Sequence, residues 1–302
     1  MFYPANLKIG DTIAIITPSG AVNATDVAIA IRKIESWGFN VVVMPNALGV
    51  MGRYCGSIEQ RIDDIHQALQ DSSVSAILCS RGGYGLLQLI DRIDRELIIN
   101  NPKWIIGYSD ITALHALVNG CGVASIHSPM AKHIAESMDE DGPLLALREL
   151  LQSGSVQYSV SYHLLNREKA FSGTLVGGNL AMILSLRGTP YDPLEFTDNP
   201  VLFIEDIGES PYKIERMLHT LRLGGVFERL SALIVGEFSD CQEDESMGAT
   251  IYELLRNMVE PYSFPVLFGF PIGHIDDNYP LISGGDVSYS PTDRLLRVGH
   301  RG

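Results

Sequence analysis

Trp104-Ile-Ile-Gly-Tyr-Ser-Asp-Ile-Thr-Ala-Leu-His115 decides the fold, because an apolar run stops at Gly107 and an amphipathic helix begins just past Asp110. A strand thus enters a helix through one sharp turn, and Ser109 sits in it. A serine on such a turn has its hydroxyl lifted clear of the backbone, and the next amide, that of Asp110, stands at the positive end of the new helix, where an oxyanion binds. A serine before a helix also serves as an N-cap, so the rest of the chain must choose between the two.

Outward from that turn the same alternation repeats. Strand-like apolar runs at 12–16, 41–44, 75–79, 104–107 and 123–126 are separated by helical patterns. One, over 26–37, carries Val27, Ile31 and Ile34 and stops at Gly38. Another, over 57–69, opens on a Ser57/Gln60 capping box and repeats Ile58, Ile62, Ile65 and Leu69. Strand and helix in turn mean an α/β fold, a doubly wound parallel sheet with helices on both faces, which binds ligands beyond the carboxyl ends of its strands. Three loops fall there: 17–20, 80–85 and 107–110. The stretch 153–174 is polar and strand-like without paired helices. A boundary within 155–170 follows, giving domains 1–160 and 161–302. The second is a smaller α/β domain: helix over 179–186, strand over 201–205, helix over 211–223 with Ser210 as N-cap and Pro211 in first position, then periodic runs at 232–235, 251–259 and 266–269.

The 302 residues, 46% apolar, are ample for two cores. With 22 basic against 36 acidic residues the formal charge is −14, which repels phosphate backbones and anionic lipid; nucleic acid and membrane are not expected partners. The start of the chain shows no basic region followed by an apolar one, and no run approaches the roughly 20 apolar residues of a membrane span, so a cytoplasmic location is expected. Cys55, Cys79, Cys121 and Cys241 are far apart with no Cys-x-x-Cys pair, and no His-Glu-x-x-His, Walker A or Gly-x-Gly-x-x-Gly string occurs. No disulfide framework, metal or cofactor is signalled.

A nucleophilic serine needs a base, and the base an orienting group. His115 lies six residues past Ser109 and points away on a helix; His66, His163, His219 and His300 sit in ordinary helix, strand or tail contexts. Two candidates stay open. His274 follows an apolar run in the turn-rich string Pro271-Ile-Gly-His-Ile-Asp-Asp-Asn278, and His127 closes the strand that follows the Ser109 strand. For the carboxylate, the strand Val201-Leu-Phe-Ile204 runs into Glu205 and Asp206, where an apolar strand leaves its sheet. An imidazole that becomes imidazolium is a fitting partner for such a group. The order Ser, Glu, His is also that of α/β-hydrolase triads. Ser80-Arg-Gly-Gly-Tyr-Gly85 adds glycines that let a backbone amide approach a substrate carbonyl, and Arg81 suits an anionic group such as a carboxylate.

Arg81-Gly-Gly-Tyr-Gly85, Ile106-Gly-Tyr-Ser-Asp-Ile-Thr-Ala-Leu114, Gly177-Gly-Asn-Leu180, Phe203-Ile-Glu-Asp-Ile-Gly-Glu209 with Pro211-Tyr212, and Gly273-His274 with Asn278 together closely resemble the L,D-carboxypeptidases of the S66 serine peptidase type, the muramoyl-tetrapeptide carboxypeptidases. The resemblance runs from about Leu7 to the C-terminus. It implies a class I glutamine amidotransferase-like N-terminal domain that carries Ser109 as nucleophile. It further implies a C-terminal domain with His274 as base and Glu205 as its orienting group, and an oxyanion hole at the amides of Gly83 and Asp110. Arg81 and Tyr84 are the substrate-binding candidates. The implied reaction releases the terminal D-alanine of cell-wall tetrapeptides in cytoplasmic murein recycling, without a metal, by an expected homodimer whose partner is a small peptide.

Two stretches depart from the family pattern. His127-Ser-Pro-Met130 stands where His-Gly-Pro-Met is usual, and Tyr279-Pro-Leu-Ile-Ser-Gly-Gly285 where Leu-Pro-Leu-Gly is common. A related branch cleaves microcin-type peptide nucleotides but tends to lack the Arg-Gly-Gly-Tyr-Gly loop kept here. A non-catalytic muropeptide sensor on the same fold is the reading from another class.

Overall fold

The computed structural model describes residues 1–138, 141–195 and 197–299, so His300 lies outside the described residues. The first sheet has the order β11-β5-β4-β3-β1-β2. Five of its strands come from the N-terminal half: β1 (Thr12–Ile16), β2 (Asn40–Val43), β3 (Val74–Cys79), β4 (Trp104–Gly107) and β5 (Ser125–His127). All five run parallel. They alternate with α1 (Ala24–Ser36), α2 (Ile58–Gln70), α3 (Arg95–Asn100) and α4 (Thr112–Gly120), and α5 (Ala131–Glu136) and α6 (Gly142–Ser153) follow. The capping box at Ser57 and Gln60 forms as the sequence predicts.

The second sheet has the order β10-β9-β8-β7-β12-β13-β6. Its strands are β6 (Ser155–Ser159), β7 (Phe171–Asn179), β8 (Pro200–Ile207), β9 (Ala232–Ser239), β10 (Val266–Phe268), β12 (Asp286–Ser290) and β13 (Leu295–Gly299), with α7 (Leu180–Leu186), α8 (Pro211–Leu223) and α9 (Ile251–Val259) between them. The four strands from β7 to β10 are parallel, whereas β12, β13 and β6 are added antiparallel.

The strand β11 (Leu281–Ser283) breaks the order of the chain, because it returns to pair antiparallel with β5 on the edge of the first sheet. The divide between the two sheets therefore does not follow a cut at 160/161: β6 lies before that point and β11 after it.

Alternation along β1 shows how the first sheet is packed. Ile13 and Ile15 enter a core shared with α1, α6 and the second sheet's Val201, Phe203 and Ile234, while Ala14 and Ile16 enter a second core with α2 and α4. The opposite face of the second sheet buries Leu202, Ile204 and Leu233 against α7, α8 and α9.

The helix after Ser109 differs from the amphipathic one expected: α4 is buried from Thr112 to Asn119. Its outer side is covered by the second sheet and α7. There Asn179 N–H donates to Thr112 Oγ1 at 3.1 Å, and the Asn179 side chain donates to Asp206 Oδ1 at 2.9 Å. Two buried polar bonds thus tie the helix that follows Ser109 to the end of the strand that carries Glu205.

Candidate active site

Strand β4 ends at Gly107, and Tyr108 turns the chain so that Ser109 takes φ 66°, a left-handed conformation that costs a non-glycine residue about 1 kcal/mol or more. A short 3-10 turn, Ser109–Ile111, then leads into α4. The strained turn aims the Ser109 hydroxyl at the second sheet, where it meets His274.

His274 Nε2 lies 2.9 Å from Ser109 Oγ, and His274 Nδ1 lies 2.8 Å from Glu205 Oε2. A carboxylate only accepts, so Nδ1 carries the proton and Nε2 is left to accept from the serine hydroxyl. Glu205 is fully buried. Gly273 N–H donates to the buried Asn278 Oδ1 at 3.0 Å, which closes the loop that presents the imidazole.

His127, the rival base, is in a different place. It pairs with Gly107 on one side and Leu281 on the other, so β11 closes over it, and its ring packs edge-on to Phe203 at 5.1 Å. Burial, with His115 and His274 adding to it and the nearby Asn278 side chain acting the other way, holds the imidazole neutral, well below the usual histidine range. His115 is a core residue: one ring nitrogen meets Gly107 O at 2.8 Å and the other Ser125 Oγ at 2.9 Å.

The open cleft over Ser109 has a volume of ≈ 380 Å³, and its walls include Arg81, Gly83, Tyr108, Lys132, His133 and Glu136. It adjoins a second cavity of ≈ 470 Å³ that shares His133 and Glu136 and reaches Asp276 and Asp277. The N–H groups of Gly83 and Asp110 have no hydrogen-bond partner among the described residues. Arg81 lines the cleft while its Nη1 donates to Ala21 O at 2.9 Å. Tyr84 does not join the lining: before the positive φ of Gly85 (135°) it turns outward, its ring tilted against Tyr54 at 6.1 Å with Arg53 5.5 Å above it.

A hydroxyl, an imidazole and a buried carboxylate in line are the parts of a nucleophilic acyl-transfer site. The comparisons with known proteins point the same way. The family model of the LD-carboxypeptidase N-terminal domain matches residues 13–128, and that of the LD-carboxypeptidase C-terminal domain matches residues 172–288. The probable murein peptide carboxypeptidase of Bacillus subtilis is 30% identical over 98% of this chain and 94% of its own length. The chain belongs to the LD-carboxypeptidase family, peptidase S66. Among solved structures, the muramoyltetrapeptide carboxypeptidase of Oxalobacter formigenes superposes with a TM-score of 0.85 at 29% identity, covering 96% of this chain and 99% of that one. The microcin C7 self-immunity protein of Escherichia coli is 29% identical over 89% of this chain and 88% of its own length.

Several groups in this LD-carboxypeptidase cleft escape a reading of the sequence. Lys132, His133 and Glu136 lie on α5, directly after the His127-Ser-Pro-Met130 string, and that string was the available signal. The carboxylate of Asp110 is the other omission. The turn at Ser109 points only to its amide, yet its Oδ2 accepts from Ser19 Oγ at 2.6 Å and from Leu86 N–H at 2.9 Å.

Proposed function

We propose that this protein is a serine-type L,D-carboxypeptidase that removes the terminal D-alanine of murein tetrapeptides. The observation that carries the reading is the chain of hydrogen bonds from Ser109 through His274 to Glu205 across two sheets. The names of the relatives supply the substrate class.

In this reading Ser109 Oγ attacks the scissile carbonyl as its proton passes to His274 Nε2. The amides of Gly83 and Asp110 receive the oxyanion, which they are free to do because no described residue bonds them. Glu205 holds the Nδ1 tautomer and offsets the imidazolium charge. The imidazolium then hands its proton to the leaving D-alanine nitrogen as the C–N bond breaks. Water, its proton taken by His274, adds to the acyl ester; the C–Oγ bond then breaks, the imidazolium returns the proton to Ser109 Oγ, and the shortened peptide leaves with a new terminal carboxyl group. Arg81 is the proposed holder of the substrate's terminal carboxylate.

A cytoplasmic site of action and a homodimer belong to the same proposal. No described helix is long and apolar enough to cross a membrane. Cleavage of a peptide nucleotide of the microcin type is the second reading, supported by the Escherichia coli relative.

Incubation of the purified protein with muropeptides bearing lysine or diaminopimelate at the third position, with assay of free D-alanine, tests the function. Release by the wild type and its loss by several orders of magnitude in Ser109→Ala is the expected result. Unchanged release by Ser109→Ala overturns it.

A further inference from the structure

One buried charge is unused by this mechanism. Arg61 projects from α2 with only 2% of its surface exposed, and no carboxylate pairs with it among the described residues. Its partners are neutral: Nη1 donates to Pro18 O at 3.1 Å and to Gly85 O at 3.2 Å, Nη2 to Gln88 Oε1 at 2.8 Å, and Nε to Ser57 O at 3.3 Å. The guanidinium also lies over the Tyr54 ring, 5.1 Å from its centre. A buried cation with no carboxylate in direct contact costs stability, although Asp110 and Glu59 act on it from further off, and an apolar side chain of similar length would fill the space at less cost. What the planar group supplies is direction, since its N–H vectors are fixed relative to one another.

Those vectors end on two loops. Pro18 belongs to the loop after β1, and Gly85 closes the loop after β3 that contains Gly82 and Gly83. The loops meet directly through Gly20 N–H to Gly82 O at 3.0 Å and the Thr17 and Ser80 hydroxyls at 2.6 Å. The Asp110 carboxylate binds the same pair of loops, through Ser19 and Leu86. Room for the guanidinium exists only because position 85 is glycine: a β-carbon there would stand 2.7 Å from Nη1.

The loop so held carries the Gly83 N–H, one of several loop N–H groups without a hydrogen-bond partner among the described residues, and Gly83 lines the cleft over Ser109. We propose that Arg61 is a positioning residue for the oxyanion-binding amide of Gly83, acting through Pro18 O and Gly85 O together with Asp110. The inference rests on the function proposed above. It adds that the geometry of the oxyanion site is set from a helix that contributes no residue to the lining of the cleft over Ser109.

Arg61→Lys, which keeps the charge but loses the fork, and Gln88→Ala, which frees one prong, are the variants to compare on a lysine-containing murein tetrapeptide. The expected result for Arg61→Lys is a kcat lower by ~10- to 100-fold, part of the loss seen when an oxyanion donor is removed. KM stays within about threefold and the midpoint of the pH profile does not move, because the Ser109–His274–Glu205 chain is untouched. A peptide boronic acid whose boron replaces the scissile carbonyl weakens in proportion to kcat, whereas the tetrapeptide itself binds the Ser109→Ala background equally well with and without Arg61→Lys. Gln88→Ala shows the same pattern to a smaller degree, and it decides the matter if Arg61→Lys does not fold. A kcat within twofold of wild type in a folded Arg61→Lys, or in Gln88→Ala where only that variant folds, overturns the inference, as does equal loss of tetrapeptide and boronate binding. Should Ser109→Ala keep turning over, the functional reading fails instead.

Discussion

Gly82 stands so close to Ser109 that a β-carbon at position 82 would lie 2.9 Å from the serine Cβ and 3.1 Å from its Oγ. The glycine loop is thus packed on the nucleophile itself. Any side chain there must push Ser109 away from His274 or lift the loop off the turn. Gly82→Ala is expected to lower kcat/KM by ~10²-fold or more, since a shift of about 1 Å in a reacting group costs that much. The melting temperature should fall as well, because Gly82 is buried and the added β-carbon also comes within 3.3 Å of Tyr108 O. Steady-state kinetics beside a melting curve check both, and an alanine variant with normal kcat/KM would contradict the packing.

The strain at Ser109 separates catalysis from stability. Its φ of 66° suits glycine and opposes every side chain. Ser109→Gly and Ser109→Ala should both lack turnover, but urea denaturation should find the glycine variant about 1 kcal/mol more stable than the alanine variant. Equal stabilities would mean that the turn relaxes when the hydroxyl is gone.

Glu205→Gln keeps the volume and removes the charge. The buried carboxylate accepts the Nδ1 proton of His274, and a neutral amide no longer selects that tautomer or offsets the imidazolium. A fall in kcat of ~10³- to 10⁴-fold with KM nearly unchanged is expected. A fall of less than tenfold would assign the orienting role elsewhere.

Arg81→Ala tests the carboxylate clamp. A charged hydrogen bond contributes about 1.5–3 kcal/mol, so kcat/KM for a peptide with a free terminal carboxylate should drop by ~10- to 100-fold. The same variant should treat a terminally amidated peptide as the wild type does. Unchanged constants for both peptides would leave Arg81 with its bond to Ala21 alone.

How much of this was legible in the sequence depends on whether the cause was local. The strand-turn-helix at Ser109 and the capping box at Ser57 are written in neighbouring residues, and both form. The choice of base was not local. His127 and His274 both follow apolar runs, and what separates them is β11, which returns from residue 281 to seal His127 between strands. Nor was the burial of α4 legible, for Thr112 meets Asn179, and Asn119, besides its local bonds to Val123 O and Ser125 Oγ, meets Ser283, both in the second half of the chain. The clamp of Arg61 and Asp110 joins residues 18, 19, 85 and 86, a set that no periodicity reveals.

Acid should weaken the fold through His115. Burial pushes this imidazole from its ordinary 6.5 down to about 4, even though its bond to Gly107 O acts the other way. The unfolded chain takes up a proton below pH 6.5 that the folded chain refuses until about pH 4, so the stability from this group is present above 6.5 and is lost as pH falls through that window. Between pH 7 and pH 5 the loss amounts to about 2 kcal/mol. Asp206 works in the opposite sense: burial raises it to about 6, so the folded state binds the extra proton and gains as pH drops below that value. The two slopes overlap, and a pH curve of the wild type alone does not resolve them. His115→Gln does, because it removes one titration and leaves Asp206 in place. Urea denaturation at pH 7 and pH 5 should show the wild type losing about 2 kcal/mol more than the variant over that interval, whatever the variant's stability at pH 7. Parallel losses in the two proteins would mean that the His115 ring is reached by water and titrates as it does in the unfolded chain.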